Sequence, residues 1–382
     1  MTLPDLRLEG ARVLLPEGLS DTPLSLSSGR IVAGDVGRNV DLSGYLVLPG
    51  IVDIHGDAFE KHLAPRRGAM KDLDQGLIAA EAELAANGIT TAVLAQFYSW
   101  EGGMRGPDFA RRVLAALDQV RPRLVTQLLT QLRFETPMLE DYPALQALVA
   151  AHAIPYVVFN DHLPHEALAQ GKRPPRLTGQ ALRIGRNPEK HLEYMHALHA
   201  RMPQLPPALD ALCADLSAAG VIMGSHDDRT PETRALWRAR GVRISEFPET
   251  LAAAEAAHAA GDAVILGAPN VVRGGSHNGN VSATDLIAMG LCTALASDYH
   301  YPSLRRAAFL VSDAGLLPLA EAWRLVSAGP AAVLGFTDRG SLTPGQRADL
   351  LVLDAETRTV RVTLSGGCVS YLSGELATRF IS

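Results

Sequence analysis

The sequence is poor in cysteine, in clustered basic residues and in long apolar runs, and each shortage excludes a class of protein. Three widely spaced cysteines in 382 residues, Cys213, Cys292 and Cys368, form neither a disulfide framework nor a Cys-x-x-Cys metal knuckle. The 35 basic residues are mixed with 41 acidic ones, which excludes a basic nucleic-acid or anionic-membrane surface. No apolar run reaches the roughly 18 residues of a membrane helix. Residues 1–18 alternate apolar and charged residues, unlike a signal peptide.

These absences leave a protein that acts on a small molecule. We expect it to be soluble and cytoplasmic, because the isolated cysteines suit a reducing compartment and no targeting or membrane segment is recognisable. We expect no nucleic-acid or membrane partner, and the sequence leaves the formation of a homo-oligomer open.

What the sequence does contain is enough apolar material for a large core, since 47% of its residues are hydrophobic. Both ends consist of short apolar segments separated by turns, as in residues 45–48 and 350–353. The sequence therefore predicts a small β-sandwich domain built from both termini, residues 1–48 and 337–382. Residues 49–336 would form the second domain.

That middle segment predicts a (β/α)8 TIM barrel. Eight short apolar runs end in polar residues, and most of them precede stretches rich in Ala, Leu and Glu. The runs cover residues 51–54, 90–95, 125–132, 156–159, 221–223, 242–245, 263–266 and 293–296. A polar insert over residues 171–207 predicts a helical excursion or lid.

Ligand-type side chains follow these predicted strands. His55 and Asp57 end the first strand one residue apart, and side chains at i and i+2 of an extended chain point the same way. The ends of four other runs carry Glu135, His162, His226 and Asp298. Barrel enzymes keep their active sites at this C-terminal rim, so we expect the six residues to converge there.

Imidazoles and carboxylates in this number predict two divalent metal ions. The favoured ion is Zn²⁺, and Mn²⁺, Fe²⁺ and Ni²⁺ suit the same ligands. A carboxylate that bridges two such ions would hold them about 3.5 to 4 Å apart. A single histidine would more simply cap a strand, but six ligand-type residues at successive strand ends favour a metal site. We expect the histidines in helix-like stretches to be surface residues: His152, His191, His196, His199 and His258.

Almost the whole chain resembles the amidohydrolase superfamily. The resemblance rests on Pro49-Gly50-x-x-Asp53-x-His55-x-Asp57, Ser297-Asp298 and Pro344-Gly345-x-x-Ala348-Asp349. Residues 55–62, 225–228, 267–280 and 297–304 more narrowly resemble the PhnM family of alpha-D-ribose 1-methylphosphonate 5-triphosphate diphosphatases, which belong to the bacterial carbon-phosphorus lyase pathway. The narrower resemblance implies release of pyrophosphate from a phosphorylated small molecule in phosphonate catabolism.

The resemblance also implies roles for individual residues. His55, Asp57, Glu135, His162, His226 and Asp298 would bind metal. Asp298 would in addition be the catalytic residue that handles the proton, and Glu135 would bridge the ions where many superfamily members carry a carbamylated lysine. The chain departs from the pattern after His162, where Leu163-Pro164-His165-Glu166 replaces a Thr-Pro-Gly-Gln type of run. The role of His165 stays open.

A glycine-rich segment after the seventh strand predicts an anion site. Barrel enzymes often bind phosphate at this position through backbone N–H groups, although a tight turn is the simpler alternative. Basic residues after the first strand offer further phosphate contacts, with a solvated charged loop as their alternative; Arg66 and Arg67 lie among them. The predicted substrate-binding residues are Lys61, His62, Arg273, Gly274, Gly275, Ser276 and His277.

Two other functions fit the same sequence. A metal barrel of this kind also suits cleavage of a C–N bond, as in a deacetylase or a cyclic amidase, because the ions would polarise a carbonyl. A non-catalytic scaffold stabilised by metal is the other alternative. The glycine-rich segment and Lys61 favour a phosphorylated substrate over the C–N hydrolase, and the six filled ligand positions argue against the scaffold.

Overall fold

The computed structural model describes residues 3–64, 72–274 and 281–381. Within these ranges the strands are β1 Leu6–Glu9, β2 Arg12–Leu15, β3 Gly18–Ser20, β4 Leu24–Ser27, β5 Arg30–Val32, β6 Arg38–Asp41, β7 Tyr45–Pro49, β8 Ile51–Gly56, β9 Ile89–Tyr98, β10 Gln127–Glu135, β11 Tyr156–Asn160, β12 Ile222–His226, β13 Ile244–Glu246, β14 Ala263–Gly267, β15 Ala294–Ala296, β16 Leu350–Asp354, β17 Val360–Ser365 and β18 Cys368–Leu372.

The helices are α1 Glu60–Leu63, α2 Leu73–Ala86, α3 Pro107–Val120, α4 Tyr142–Ala151, α5 His165–Ala169, α6 Leu177–Arg183, α7 Pro188–Ala200, α8 Leu205–Ala218, α9 Pro231–Ala239, α10 Leu251–Ala259, α11 Ala268–Arg273, α12 Ala283–Ala288, α13 Ser303–Asp313, α14 Leu319–Arg324, α15 Ala328–Val333 and α16 Leu376–Ile381. Short 3-10 turns cover Gly103–Arg105, Arg121–Arg123, Leu139–Asp141 and Met202–Gln204.

The predicted barrel is confirmed. Strands β8 to β15 form one parallel sheet of eight strands in sequential order, and an isolated parallel bridge between Gly56 and Asp298 joins its first and last members. Helices cover the sheet, which explains why β9 is buried along its whole length. Val52, Val93, Val158 and Ile265 come from strands around the barrel into one core cluster that fills its centre.

The two ends of the chain form two further sheets, as predicted. One has the strand order β5-β4-β1-β6, and the other has the order β18-β17-β16-β7-β2-β3. The central strands β7 and β16 of the second sheet are buried on both faces, and neighbouring residues of each strand point to opposite sides. Val47 and Val352 pack against the first sheet in one apolar cluster, whereas Leu48 and Leu351 pack against the barrel helix α2 in another. The β-sandwich therefore packs directly against the barrel.

The loops after two barrel strands are fixed by helix caps. Thr230 accepts a hydrogen bond from the backbone N–H of Thr233 at the start of α9, and Thr250 accepts one from Ala253 at the start of α10. Capping of this kind stabilises a helix start by about 1 kcal/mol. It also holds the strand ends at His226 and Glu246 in short, defined connections.

The predicted insert is helical, since α5 to α8 lie between β11 and β12. The expectation that His191 is a surface residue is wrong. Its side chain is buried beside Trp100, with ring centroids 5.8 Å apart, because the insert folds back over the barrel rim. In the described part of the chain, no helix combines the length and the apolar character that a bilayer crossing needs.

Candidate metal centre

The ends of β8 and β15 bring three predicted ligands together. The ligand atoms of His55, Asp57 and Asp298 all lie within 4.8 Å of one another. The backbone creates this proximity: the N–H of Asp298 donates to the carbonyl of His55 at 2.9 Å, and the N–H of Asp57 donates to the carbonyl of Asp298 at 2.9 Å. Closure of the barrel therefore assembles the cluster.

The loop that carries Asp298 is held in a strained form. Asp298 has φ 53°, in the left-handed region that non-glycine residues seldom adopt. Asp53 fixes the preceding residue, since its carboxylate accepts both the hydroxyl of Ser297 at 2.5 Å and the backbone N–H of Ser297 at 3.0 Å. Strain of this kind persists where the surroundings over-determine it, which is common at functional sites.

His55 presents one ring nitrogen to the cluster. Its Nδ1 lies 2.8 Å from Oε2 of Glu246, while its Nε2 is buried with no hydrogen-bond partner among the described residues. Glu246 also accepts hydrogen bonds from Gln131 at 2.7 Å and from the Tyr156 hydroxyl at 2.6 Å. A carboxylate on the far nitrogen is how proteins orient a metal-binding imidazole. The free Nε2 is therefore suited to bind a cation.

A second grouping within 4.8 Å joins His55, His226 and Glu246. Glu246 already accepts three hydrogen bonds and is completely buried, so we assign it as the carboxylate that orients His55. Sequence reasoning missed Glu246, although it ends its strand just as the predicted residues end theirs.

Electrostatics at the three-residue cluster favours a cation. Burial and the neighbouring charge of Asp57 raise the pKa of Asp298 to about 6. Burial alone would lower the pKa of His55, but Glu246 outweighs burial and raises it. Two crowded carboxylates beside an unpartnered nitrogen are stabilised when a positive ion lies between them.

The other three predicted ligands lie at the ends of β10, β11 and β12, where neighbouring side chains already contact them. Oε1 of Glu135 lies 2.5 Å from Nδ1 of His162, and Oε2 accepts from Trp100 at 3.2 Å and from the backbone of His162 at 2.9 Å. Nδ1 of His226 lies 2.8 Å from Asp227. No group of three metal-ligand atoms among the described residues includes Glu135 or His162. Their metal-binding roles therefore remain predictions.

Arg133 is a site residue that sequence reasoning missed. It lies two residues before Glu135 on β10, and its guanidinium donates to Nε2 of His226 at 3.0 Å and lies 3.5 Å from Oδ2 of Asp57. The side chain is almost completely buried and stacks on Phe97 at 4.0 Å from the ring centroid. The i, i−2 spacing from Glu135 was the available signal. Arg133 therefore places a permanent positive charge between Asp57, which follows β8, and His226, which ends β12.

His165, whose role the sequence left open, contacts the insert. Its Nε2 lies 2.8 Å from Oδ2 of Asp161 and its Nδ1 lies 2.8 Å from Nδ1 of His199. Neither group of candidate ligand atoms includes His165. We therefore interpret it as a link between the β11 loop and α7.

The predicted phosphate contacts after β8 share one carboxylate. Nζ of Lys61 lies 2.7 Å from Oε1 of Glu83, and Nε2 of His62 lies 2.6 Å from Oε2 of the same residue. Arg66 and Arg67 lie outside the described residues. Lys61 and His62 are weaker anion contacts than their side chains alone suggest, because both share the negative charge of Glu83.

The predicted anion segment after β14 is described only at its start. Arg273 donates to the hydroxyl of Tyr299, and Gly274 adopts φ 79° where α11 ends. Gly275, Ser276 and His277 lie outside the described residues. The phosphate-binding roles of this segment remain predictions.

Two cavities adjoin the rim. One, of about 610 Å³, is lined among others by Asn160, His162, His226, Asp227, Arg229 and Trp237. The other, of about 200 Å³, is lined among others by Arg133, His226, Phe247, Asn270, Asp298 and Tyr299. The larger lies within the range of natural small-molecule sites.

Comparisons with known proteins agree with this architecture. The chain is 32% identical over 331 residues to the alpha-D-ribose 1-methylphosphonate 5-triphosphate diphosphatase of Escherichia coli (strain K12), covering 85% of this chain and 87% of that protein. The model of the "Amidohydrolase family" matches residues 281–369.

Solved structures share the fold over almost the whole chain. A Xaa-Pro dipeptidase with bound methionine superposes with a TM-score of 0.64 at 13% identity, covering 97% of this chain and 100% of that chain. An N-acyl-D-glutamate deacylase from Bordetella bronchiseptica, complexed with zinc and a phosphonate inhibitor, superposes with a TM-score of 0.61 at 16% identity, covering 97% and 96%. These structures share the fold, and the length and identity of the Escherichia coli match, with the family model, show that the chain belongs to the amidohydrolase family of metal-dependent hydrolases.

Proposed function

We propose that this protein hydrolyses alpha-D-ribose 1-methylphosphonate 5-triphosphate to alpha-D-ribose 1-methylphosphonate 5-phosphate and pyrophosphate, in phosphonate catabolism. The observation that carries the proposal is the 32% identity to the Escherichia coli enzyme of that name over 85% of the chain. The positive charge of Arg133 at the candidate metal centre supports an anionic substrate.

His55, Asp57 and Asp298 would hold a divalent ion, with Glu246 orienting His55. The fit rests on the buried, unpartnered Nε2 of His55 and on two carboxylates within 4.8 Å of its ligand atom. Such an ion supplies Lewis-acid stabilisation of phosphoryl oxygens and lowers the pKa of water. Zinc is our first choice, because histidine with carboxylates is a frequent zinc ligand set.

The chain's own residues supply the rest of the chemistry. The carboxylate of Asp298 lies in the ligand cluster, where it can accept the proton of the attacking water. Arg133 lies where its guanidinium can donate to an oxygen of the reacting phosphoryl group, whose charge spreads over its oxygens in the transition state. These two residues would divide the work of proton transfer and charge stabilisation.

A second divalent ion, bound with Glu135, His162 and His226, is part of the proposal. It requires rearrangement, because Glu135 is engaged with His162 and the guanidinium of Arg133 donates to Nε2 of His226. We infer that the second ion binds more weakly than the first. The predicted anion contacts Lys61, His62, Arg273, Gly274, Gly275, Ser276 and His277 would act on the phosphates around these ions.

A turnover panel tests the proposal. Zinc-loaded protein is offered a ribose 5-triphosphate, phosphodiesters, N-acyl amino acids and cyclic amides, and phosphorus NMR follows the phosphorylated products. We expect pyrophosphate from the triphosphate and no reaction with the amides. Protein treated with a chelator and the Asp298→Asn variant are the controls for contaminating phosphatases. Rapid amide hydrolysis with an untouched triphosphate would overturn the diphosphatase and favour a C–N hydrolase, whereas a metal-loaded protein that is inactive on the whole panel would favour a scaffold.

A further inference from the structure

A third cavity, of about 560 Å³, opens between α1, the turn after β9, α3 and α6. We call it the arginine cavity, because Arg105, Arg112 and Arg183 line it. Gln180 of the helical insert adds an amide to the same wall. The cavity is thus built from the barrel on one side and the insert on the other.

The arginine cavity holds unpaired positive charge. Of its three arginines, Arg105 pairs with Glu101 at 2.8 Å. Arg112 and Arg183 have no carboxylate partner within residues 3–64, 72–274 and 281–381. Glu60 and Glu101 are the carboxylates among its described lining residues. Two guanidinium groups without carboxylate partners on one concave surface favour an anion of high charge over a neutral ligand.

A shared aromatic ring links the cavity to the metal centre. The guanidinium carbon of Arg105 lies 4.2 Å from the ring centroid of Phe97, and that of Arg133 lies 4.0 Å from the same centroid. The separation of the two guanidinium carbons therefore cannot exceed these two distances taken together. Because Arg133 itself lies 3.5 Å from Asp57, the Phe97 ring connects an arginine of the cavity to one that contacts the ligand cluster.

We propose that the arginine cavity binds the two terminal phosphates of the triphosphate and the pyrophosphate that leaves. This inference rests on the proposed function. In the reaction a bond forms between the water oxygen and the α-phosphorus, and the bond from that phosphorus to the oxygen shared with the β-phosphorus breaks. The electron pair stays on the departing pyrophosphate, whose new charge Arg112 and Arg183 would offset, while Asp298 accepts the water proton.

Isothermal titration of the full-length, zinc-loaded protein with inorganic pyrophosphate tests the cavity directly. The Arg112→Ala/Arg183→Ala double variant should weaken pyrophosphate binding by about tenfold or more, because each charge-assisted contact contributes strongly. The control is Arg12→Ala/Arg324→Ala, which removes the same charge from exposed arginines elsewhere and should leave the affinity unchanged. An Arg112→Lys/Arg183→Lys variant should recover part of the affinity, since it keeps the charge but loses the planar fork.

Kinetics with the triphosphate separate this inference from the proposed function. A rise in KM for the double variant, with zinc content and melting temperature unchanged, supports the cavity. If the wild type hydrolyses the triphosphate while the double variant binds pyrophosphate and substrate as the wild type does, the cavity assignment is overturned and the function stands. If the wild type binds pyrophosphate through these arginines but does not hydrolyse the triphosphate, the anion site stands and the diphosphatase is overturned.

Discussion

Two parts of the barrel rim carry the same kinds of side chain in opposite electrostatic states. At the ends of β8 and β15, His55, Asp57 and Asp298 converge, with negative charge in excess and a buried nitrogen that has no hydrogen-bond partner in the described part of the chain. At the ends of β10 to β12, Glu135 contacts His162, and His226 contacts both Asp227 and Arg133. Arg133 contacts both parts, but the ligand-type residues of the second part already have one another and this guanidinium as partners.

Ligand-type residues at strand ends therefore do not by themselves define metal sites of equal affinity. A carboxylate beside an imidazole satisfies both groups without an ion, and a guanidinium does the same for a carboxylate. Only residues whose remaining lone pairs have no other partner require a metal. We therefore expect the two parts of the rim to differ in metal affinity.

The largest effect should come from Asp298→Asn, which keeps the shape of the side chain but removes its charge and its proton acceptor. We expect kcat for the triphosphate to fall by about 10²-fold or more, the usual range for a lost acid-base group. Steady-state kinetics checks this, with zinc content measured in the same samples. Near-normal turnover would exclude Asp298 as the proton acceptor.

Glu246→Gln should weaken zinc binding by about 10- to 100-fold, because the carboxylate that orients His55 is lost while its volume is kept. Competition titration with a chromophoric chelator measures the affinity. Tyr156→Phe is the matched control, since it removes one hydrogen bond to Glu246 and leaves its charge. Equal effects of both variants would mean that Glu246 acts through packing and not through its charge.

Metal titration should distinguish the two parts of the rim. We predict two zinc ions per chain, with a tight phase that His55→Ala abolishes and a weaker phase that His162→Ala abolishes alone. Glu135→Ala should lower occupancy in both phases if this residue bridges the ions. Elemental analysis after reconstitution gives the totals. A wild-type protein that saturates at one ion would restrict metal binding to the β8 and β15 side.

The smallest effect concerns the stability of the metal-free protein. The folded pKa of Asp298 is about 6, above the value near 3.9 of an unfolded aspartate, so its contribution to stability is lost as the pH rises through about 6. In a chelator, Asp298→Asn should therefore raise Tm relative to wild type by on the order of 1 °C or more at pH 8, and less at pH 4.5. Differential scanning calorimetry measures both values. A larger gain at pH 4.5 would contradict a pKa of Asp298 raised by its burial and by the charge of Asp57.

The barrel was predictable because its signal is local. Each strand is a short run of apolar residues followed by a polar residue, and the spacing of eight such runs is enough to place His55, Asp57 and Asp298 at one rim. The prediction that His191 lies at the surface was wrong because this contact is not local. Nothing within its own helix shows that the insert folds back over Trp100.

The sequence by itself determined which residues end the strands, because side-chain periodicity and chain polarity fix that locally. Only the tertiary structure decided which of those residues converge on a cation. Glu246 meets His55 across 191 positions of sequence, and Arg133 meets His226 across 93. Such distant partners decide whether a buried side chain is free to bind a metal or is already hydrogen-bonded. In a buried site each lone pair and each charge is satisfied by the nearest suitable group, wherever that group lies in the chain.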